Sequence, residues 1–499
     1  MRSFLFVATL LCSIKLFAQP NASEFESFLE KATQDFNVPG TYVMVVDNGK
    51  VVMRSGYGKK SKAQPEAPNE ETLFAIASLS KAFSVAAIAV LVEEGKLAWD
   101  DPVKKHLPEF KLHDPYVTEN ITVEDLLCHR SGLITFDGDL LWYGTDYSRE
   151  EVVKRIAERP LSCGFREQFG YQNIMFITAG QVVEAVSGMT WDEFVKVKFL
   201  EPLEMNRTTT DFERFSMDRN MAMPHIAGEE IFTMSYENSG ATAALNSCAS
   251  DMQKWTSFWL NNGIHNGDTL LSKRSIDRIM TIHTPLPTGN FDNTNGTNFK
   301  GYGLGWFLMD YQGDKIVHHG GGLPGYITKV ALCPKDDVAV IVLTNDMSSL
   351  PTMTMYAALD WLKGRDYEKW SETFLAYKKA GEKRKSDRES ARLNEKEEDP
   401  VVFESSEYVG QYEDEMFGLA EVFIDQGALN LRLLPSKELF SGRLTPWSKH
   451  AFRFDHNDPF LTYGVISFTV EKDEIKGFTI DLPNQDFHFD KLDFKVVAK

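Results

Sequence analysis

Cysteine is scarce in this chain of 499 residues: five in all, with no Cys-x-x-Cys pair. Neither a zinc framework nor a dithiol redox pair is supported, and the pairing of Cys128, Cys163, Cys248 and Cys333 is left open by their spacing. Positive charge is also short. With 53 basic against 72 acidic residues the net charge is −19, which argues against nucleic acid and anionic membrane surfaces as partners. No apolar run approaches the ~20 residues that a bilayer requires; Phe4–Ile14 and Phe83–Val92 both fall short. No repeat of 20–50 residues is evident, and nothing calls for a cofactor or a metal.

What is present is core-forming material. A hydrophobic fraction of 43% with 12% aromatics excludes wholesale disorder, and the length allows two or three domains. Arg2, the apolar stretch Phe4–Ile14 and the small residue Ala18 read as a signal peptide over residues 1–19. That predicts a secreted or periplasmic protein with no membrane span after cleavage.

Val43–Val46, the Asn48-Gly49 turn and Val51–Met53 read as a hairpin. A helical pattern follows over Phe83–Leu97, and the stretch from Thr122 to about Trp259 is mostly helices and loops. Strands return at Ile327–Leu332 and Val338–Thr344, before a helix at about Met353–Leu362. This order predicts an α/β fold: one antiparallel sheet built from both ends of a domain at 20–365, flanked by helices, with a helical subdomain inserted. From Lys378 to Asp399, 15 of 22 residues are charged with both signs mixed, so 366–402 reads as a charged helical linker. Short alternating runs such as Leu429–Leu433 then predict an all-β, barrel-like domain at 403–499.

Three motifs stand in order along the first domain. Ser78-Leu79-Ser80-Lys81 is the single Ser-x-x-Lys of the chain and lies where an apolar run begins. Three residues apart, Ser78 and Lys81 share a helix face near a helix N-terminus, and partial burial would lower the lysine pKa enough for it to accept a proton. Read alone, the motif is equally an N-cap serine and an exposed lysine. Tyr171-Gln172-Asn173 follows, with a rival in Tyr236-Glu237-Asn238. We favour the first, where Phe165, Phe169 and Gly170 precede it and Thr178-Ala179-Gly180 follow. A Lys81 ammonium beside Tyr171 would stabilise its phenolate, and Asn173 would bond Lys81 or a substrate carbonyl. The third motif is His319-Gly320-Gly321, whose register is ambiguous by one because His318 precedes it. Glycines on an edge strand let a substrate backbone approach closely; the plainer reading is a Gly-rich turn. Together the motifs describe acyl transfer through a covalent acyl-serine.

These residues resemble the serine β-lactamase and penicillin-binding-protein superfamily, in its class C β-lactamase, D-aminopeptidase and esterase branch. The resemblance extends through Leu97–Val103, His106–Phe110, Ile121–Leu133, Glu201–Met205 and Gly301–Trp306, and covers about residues 25–363. The C-terminal module resembles the lipocalin-like domain that some exported members append. The resemblance implies Ser78 as acylated nucleophile, Lys81 and Tyr171 as proton-transfer groups, and Asn173, His319 and Gly321 as orienting or substrate-binding residues. It also implies an oxyanion hole from the N–H groups of Ser78 and Gly322.

Histidine at 319 departs from the lysine that many β-lactamases and carboxypeptidases carry. It is mostly neutral at neutral pH and holds a carboxylate less strongly, unless Arg130 or another cation replaces the lysine. Ala243-Ala244 likewise stand where relatives often carry paired glycines. The expected function is therefore a serine hydrolase acting on an ester, amide or D-amino-acid peptide, including cell-wall-derived ones. The alternatives are a β-lactamase or cell-wall D,D-peptidase and, from another class, a non-catalytic peptidoglycan- or ligand-binding protein.

Overall fold

The computed structural model describes residues 21–398, 400 and 402–498. The leader read at residues 1–19 lies outside them. Eight antiparallel strands form the central sheet: β1 (Gly40–Asp47), β2 (Lys50–Gly58), β3 (Thr284–Leu286), β4 (Lys300–Tyr302), β5 (Phe307–Tyr311), β6 (Asp314–Leu323), β7 (Tyr326–Cys333) and β8 (Val338–Thr344). Their order is β2-β1-β8-β7-β6-β5-β4-β3, so the first hairpin pairs with the last strand and closes the domain. Asn48 and Gly49 both take positive φ, 48° and 70°, as a two-residue hairpin turn requires.

The centre of the sheet is covered on both faces. Val43, Val45, Val340 and Val342 pack with helices α1 (Ala22–Asp35) and α5 (Leu350–Leu362). The alternate residues Met44, Val46, Ile341 and Leu343 face a second cluster with Phe83 of α2 (Ser80–Glu93) and Trp255 of α4 (Ala249–Leu260). Period-2 burial on two faces explains why β8 reads as an unbroken apolar run. Helix α2 is itself buried almost all round, as befits a central helix, and lies beside α3 (Asn173–Ser187). It begins at Ser80, earlier than the apolar run suggested.

The charged segment forms α6 (Lys369–Leu393). Trp370 and Phe374 near its start are buried in the sheet domain, and Arg392 near its end donates to the carbonyls of Tyr463 and Asp481. Beyond it, eight strands close a barrel in simple next-neighbour order, with Gly410–Asp414 and Asp493–Ala498 completing the ring. Its interior is filled by rings, among them Tyr412, Phe468, Phe478 and Phe494.

The barrel docks on residues 137–159 of the first domain. Phe487 stacks on Tyr143 with centroids 4.1 Å apart, and the Tyr143 hydroxyl donates to Asp458 at 2.7 Å. Tyr147 donates to the Phe417 carbonyl at 2.7 Å. Asp137 takes two bonds from Arg159, at 2.8 and 2.9 Å, and one from His488 at 3.2 Å. Burial alone would raise the Asp137 pKa, but His488 and Arg159 hold it below the usual value. His488 is raised in turn by that bond, against burial. A raised histidine stabilises fully below its unfolded pKa of ~6.5, and that contribution is lost as pH climbs through the folded value. We therefore predict that barrel docking weakens as pH rises above about 6.5. The contribution of His488 to the unfolding midpoint should fall over that range, and H488Q should flatten the profile; equal slopes for both proteins would refute the assignment.

Candidate active site

Ser78 sits in a tight 3-10 turn, Ala77–Leu79, just before α2. The turn is held by Ile76 N–H donating to Leu245 O at 3.0 Å and Leu79 N–H donating to Ile76 O at 3.1 Å. Ala77 is buried with φ of 50°, a left-handed conformation that costs an alanine energy and is sustained only by firm surroundings. The strain falls next to Ser78.

Lys81 is fully buried one turn on. Its Nζ stands 3.1 Å from Ser78 Oγ, 2.7 Å from Asn173 Oδ1 and 3.2 Å from Thr242 O. Burial drives its pKa well below the ordinary lysine value, and Asp139 opposes that shift. A neutral amine has two N–H groups and one lone pair. Asn173 and Thr242 can take the former, which leaves the lone pair for the Ser78 hydroxyl. Asn173 is fixed from behind by donating to Asp139 at 2.6 Å. Burial pushes the Asp139 carboxyl up to about 7, against the bond from Asn173 and the charge of Lys81.

The Tyr171 ring centroid lies 4.8 Å from Lys81 Nζ, and Tyr171 lines the cleft together with Ser78. The expected phenolate is not what the surroundings favour. Burial raises the Tyr171 pKa, Asp139 raises it further, and Lys81 is itself driven towards neutrality. The resting group is a neutral phenol. Its loop is pinned by His129, whose buried Nδ1 accepts from Gln172 N–H at 2.9 Å, and by Phe136 N–H donating to Tyr171 O at 2.8 Å. The rival Tyr236 instead packs on Trp142, and Asn238 donates to the Trp142 carbonyl.

Strand β6 carries the third motif along the cleft. Its pairing with β5 ends at His318, so residues 319–323 border the cleft as a free edge. His319 is buried. Its Nδ1 contacts Gly320 O at 2.6 Å and its Nε2 contacts Tyr302 Oη at 3.1 Å. With Nδ1 donating and Nε2 accepting, neither nitrogen is left to present a charge, and burial with Lys81 nearby lowers its pKa to about 3. Arg130 does not substitute as a cation, because it is bound by Asp125 and Glu124. Gly321 is packed against the serine turn: a Cβ there would stand 2.1 Å from Ile76 O. Gly322 is exposed and faces the cleft.

The cleft itself measures about 650 Å³. Ser78, Tyr171, Asn173, His319 and Gly322 line it, and so do Phe460, Asp486 and Phe487 of the barrel. Sequence reasoning missed the barrel's contribution, as well as Asp139 and Thr242. Asp139 lies in the same loop as Trp142 and Tyr143; no local signal pointed to the others. All four cysteines within the described residues are free thiols.

Residues 25–364 match the family described as Beta-lactamase. The chain belongs to the beta-lactamase family. This places it among serine hydrolases of the penicillin-binding-protein fold. Residues 398–496 match a second family, described only as a domain of unknown function, DUF3471. The chain is 28% identical over 383 residues to the unguisins hydrolase ungD' of Aspergillus campestris, covering 71% of this chain and 68% of that protein. It is 27% identical over 345 residues to protein flp of Staphylococcus aureus, covering 64% of this chain and 62% of that one. Among solved structures, an octameric penicillin-binding protein homologue from Pyrococcus abyssi shares the fold at a TM-score of 0.62, with 24% identity over 96% of this chain and all of that one. A D-stereospecific amidohydrolase from a Streptomyces species shares it at 0.52, with 22% identity over 66% of this chain and 95% of that one.

The contrast between the two glycines is testable in this beta-lactamase-family domain. Gly321→Ala forces a Cβ onto a backbone carbonyl and should destabilise the domain by about 1–3 kcal/mol. Gly322→Ala meets only the end of the Ile327 side chain, at 3.3 Å, and should unfold near the wild-type midpoint. Equal midpoints for the two variants would contradict this packing.

Proposed function

We propose that the protein is a secreted or periplasmic serine hydrolase that cleaves an ester, an amide or a D-amino-acid peptide through an acyl-serine at Ser78. The observation that carries this reading is the Lys81 environment: a buried amine, driven towards neutrality, bonded to Ser78 Oγ and to two carbonyl oxygens. In this reading Lys81 takes the Ser78 proton as Oγ attacks the carbonyl carbon. The oxyanion is received by the N–H groups of Ser78 and Gly322, and Tyr171 passes a proton to the leaving group. Water then attacks the acyl-serine with the same groups acting in reverse. Asn173 holds the Lys81 lone pair on line, while His319, anchored by Tyr302, and Gly321 keep the β6 edge against the serine turn. A neutral phenol suits Tyr171 as the proton donor. The barrel narrows the cleft with Phe487 and Phe460, which supports selection of the substrate by shape; its lipocalin-like strand order is part of the same proposal, with an interior filled by aromatic rings.

Of the relatives named above, one is a hydrolase of unguisins and one a D-stereospecific amidohydrolase, which supports the hydrolase reading and, from the second, an amide substrate. A fluorophosphonate probe should label the wild-type protein and leave Ser78→Ala unlabelled. Lys81→Ala should slow labelling by about 10²–10⁴-fold. Labelling of folded Ser78→Ala, or an unchanged rate in Lys81→Ala, would overturn the assignment.

The pH profile gives a second test. A base must be unprotonated, so activity is lost as pH falls through the Lys81 pKa. Asp139 raises that pKa. Removing its charge disfavours the ammonium, so Asp139→Asn should move the acid limb to lower pH. A shift to higher pH would contradict the coupling.

A further inference from the structure

Helix α6 turns a basic face towards the barrel. Gly381, Arg384, Lys385, Arg388, Glu389 and Arg392 recur at helical spacing, so they share one face, and that face borders a groove of about 650 Å³. Thr462, Tyr463 and residues 483–486 of the barrel form the opposite wall. The far end of the helix is fixed to that wall. Arg392 is bonded to the carbonyls of Tyr463 and Asp481 and paired with the Asp481 carboxylate at 3.1 Å.

Three cations of this face lack a counter-charge. Arg384, Lys385 and Arg388 are exposed, and none of them makes an ion pair or a side-chain hydrogen bond among the described residues. From Lys378 to Arg392 the helix holds seven basic residues against three acidic, in a chain of net charge −19, so the positive potential is local to this segment. Glu389 and Asp486 are the acids on the lining, and Asp486 borders the catalytic cleft as well. A glycine inside a helix is unfavourable beside alanine. Packing does not require one at 381, where a Cβ would meet only Arg384 Nη2, at 3.9 Å; its effect is to leave the floor of the groove open. On the barrel wall, Asn484 Oδ1 accepts from the N–H groups of Asp486 and Phe487 at 2.7 and 3.1 Å, which leaves its Nδ2 free to donate. The Gln485 amide and the Thr462 hydroxyl also have no partner among the described residues.

We propose that the groove between α6 and the barrel binds an extended acidic peptide, with carboxylates on alternate residues paired to Arg384 and Arg388 and its backbone bonded by the amides of Asn484 and Gln485. The spacing suits this ligand. Arg384 and Arg388 are about 6 Å apart along the helix, close to the roughly 7 Å between alternate side chains of an extended chain. From Gly381 to Arg392 the helix rises about 16 Å, the length of about five extended residues. A flat membrane cannot enter a groove, and a long polyanion would meet the negative charge of the rest of the chain. A short acidic peptide meets only the basic face. The site is separate from Ser78 and does not depend on the acyl-serine reading.

The test is fluorescence anisotropy with the full-length Ser78→Ala protein, which cannot consume a peptide through Ser78. The probes are the peptide Glu-Thr-Glu-Thr-Glu, blocked at both ends and carrying a zwitterionic rhodamine, and its Gln-Thr-Gln-Thr-Gln counterpart. The acidic peptide should bind about tenfold more tightly at low salt, as a few exposed charge pairs provide together, and the ratio should shrink towards one in 1 M salt. It should fall to near one in the double variant Arg384→Gln/Arg388→Gln. It should be kept in Lys383→Gln, which removes a cation of α6 that does not line the groove. Gly381→Leu fills the floor without changing charge and should weaken the acidic peptide as well. Glutamine and leucine are good helix formers, and unfolding midpoints confirm that the variants fold. No preference for the acidic peptide, a preference that survives the double arginine variant, or an equal loss in Lys383→Gln overturns the site. Tripolyphosphate that binds more tightly than the acidic peptide, with the same dependence on Arg384 and Arg388, assigns the groove to phosphate chains and overturns the peptide.

Discussion

A single buried amine organises this molecule. Lys81 lies within the core between α2 and α3, where an ammonium would be costly, and three oxygens converge on its nitrogen. Each oxygen comes from a different part of the chain: Ser78 from the strained turn before α2, Asn173 from the start of α3, and Thr242 from the loop that pairs Asn246–Ser247 with Phe74–Ala75. Fixing the nitrogen thus fixes the relative placement of the sheet domain and the helical insertion. Asp139 extends the chain one step outward, through Asn173, to the loop on which the barrel rests.

The barrel is consequently more than an appended module. Tyr143, Tyr147 and Asp137 hold it through a stacked ring, two tyrosine hydrogen bonds and a buried carboxylate shared with Arg159 and His488. The same loop carries Asp139, which modulates Lys81. Barrel docking and proton affinity in the core therefore share one segment, Asp137–Tyr147. The cleft is walled on one side by the β6–β7 strands with Lys329, and on another by the barrel with Phe460 and Phe487.

Much of this was legible in the sequence where local chemistry leaves little choice. The Asn48-Gly49 turn demands positive φ twice, the apolar run of β8 announces a strand covered on both faces, and the charged run before the barrel forms a helix. The three motifs meet at one site because helix, loop and strand edge each carry a short-range signature. What escaped notice depends on long-range placement. Thr242 contributes a backbone carbonyl, which has no sequence signature. Phe487 lies more than three hundred residues from the Tyr143 it stacks on. The expected Tyr171 phenolate failed for a physical reason: the burial that neutralises Lys81 removes the very charge that would have stabilised it.

The central claim is that Lys81 is neutral in the resting protein and accepts the Ser78 proton. The direct measurement is a ¹³C NMR titration of lysine Cε, with the Lys81 signal assigned by Lys81→Arg, run beside the pH dependence of Ser78 acylation. The account predicts that Lys81 titrates well below the ~10.4 of an ordinary lysine and at the same pH as the acid limb of acylation. A Lys81 that is still protonated where acylation is fastest would contradict it.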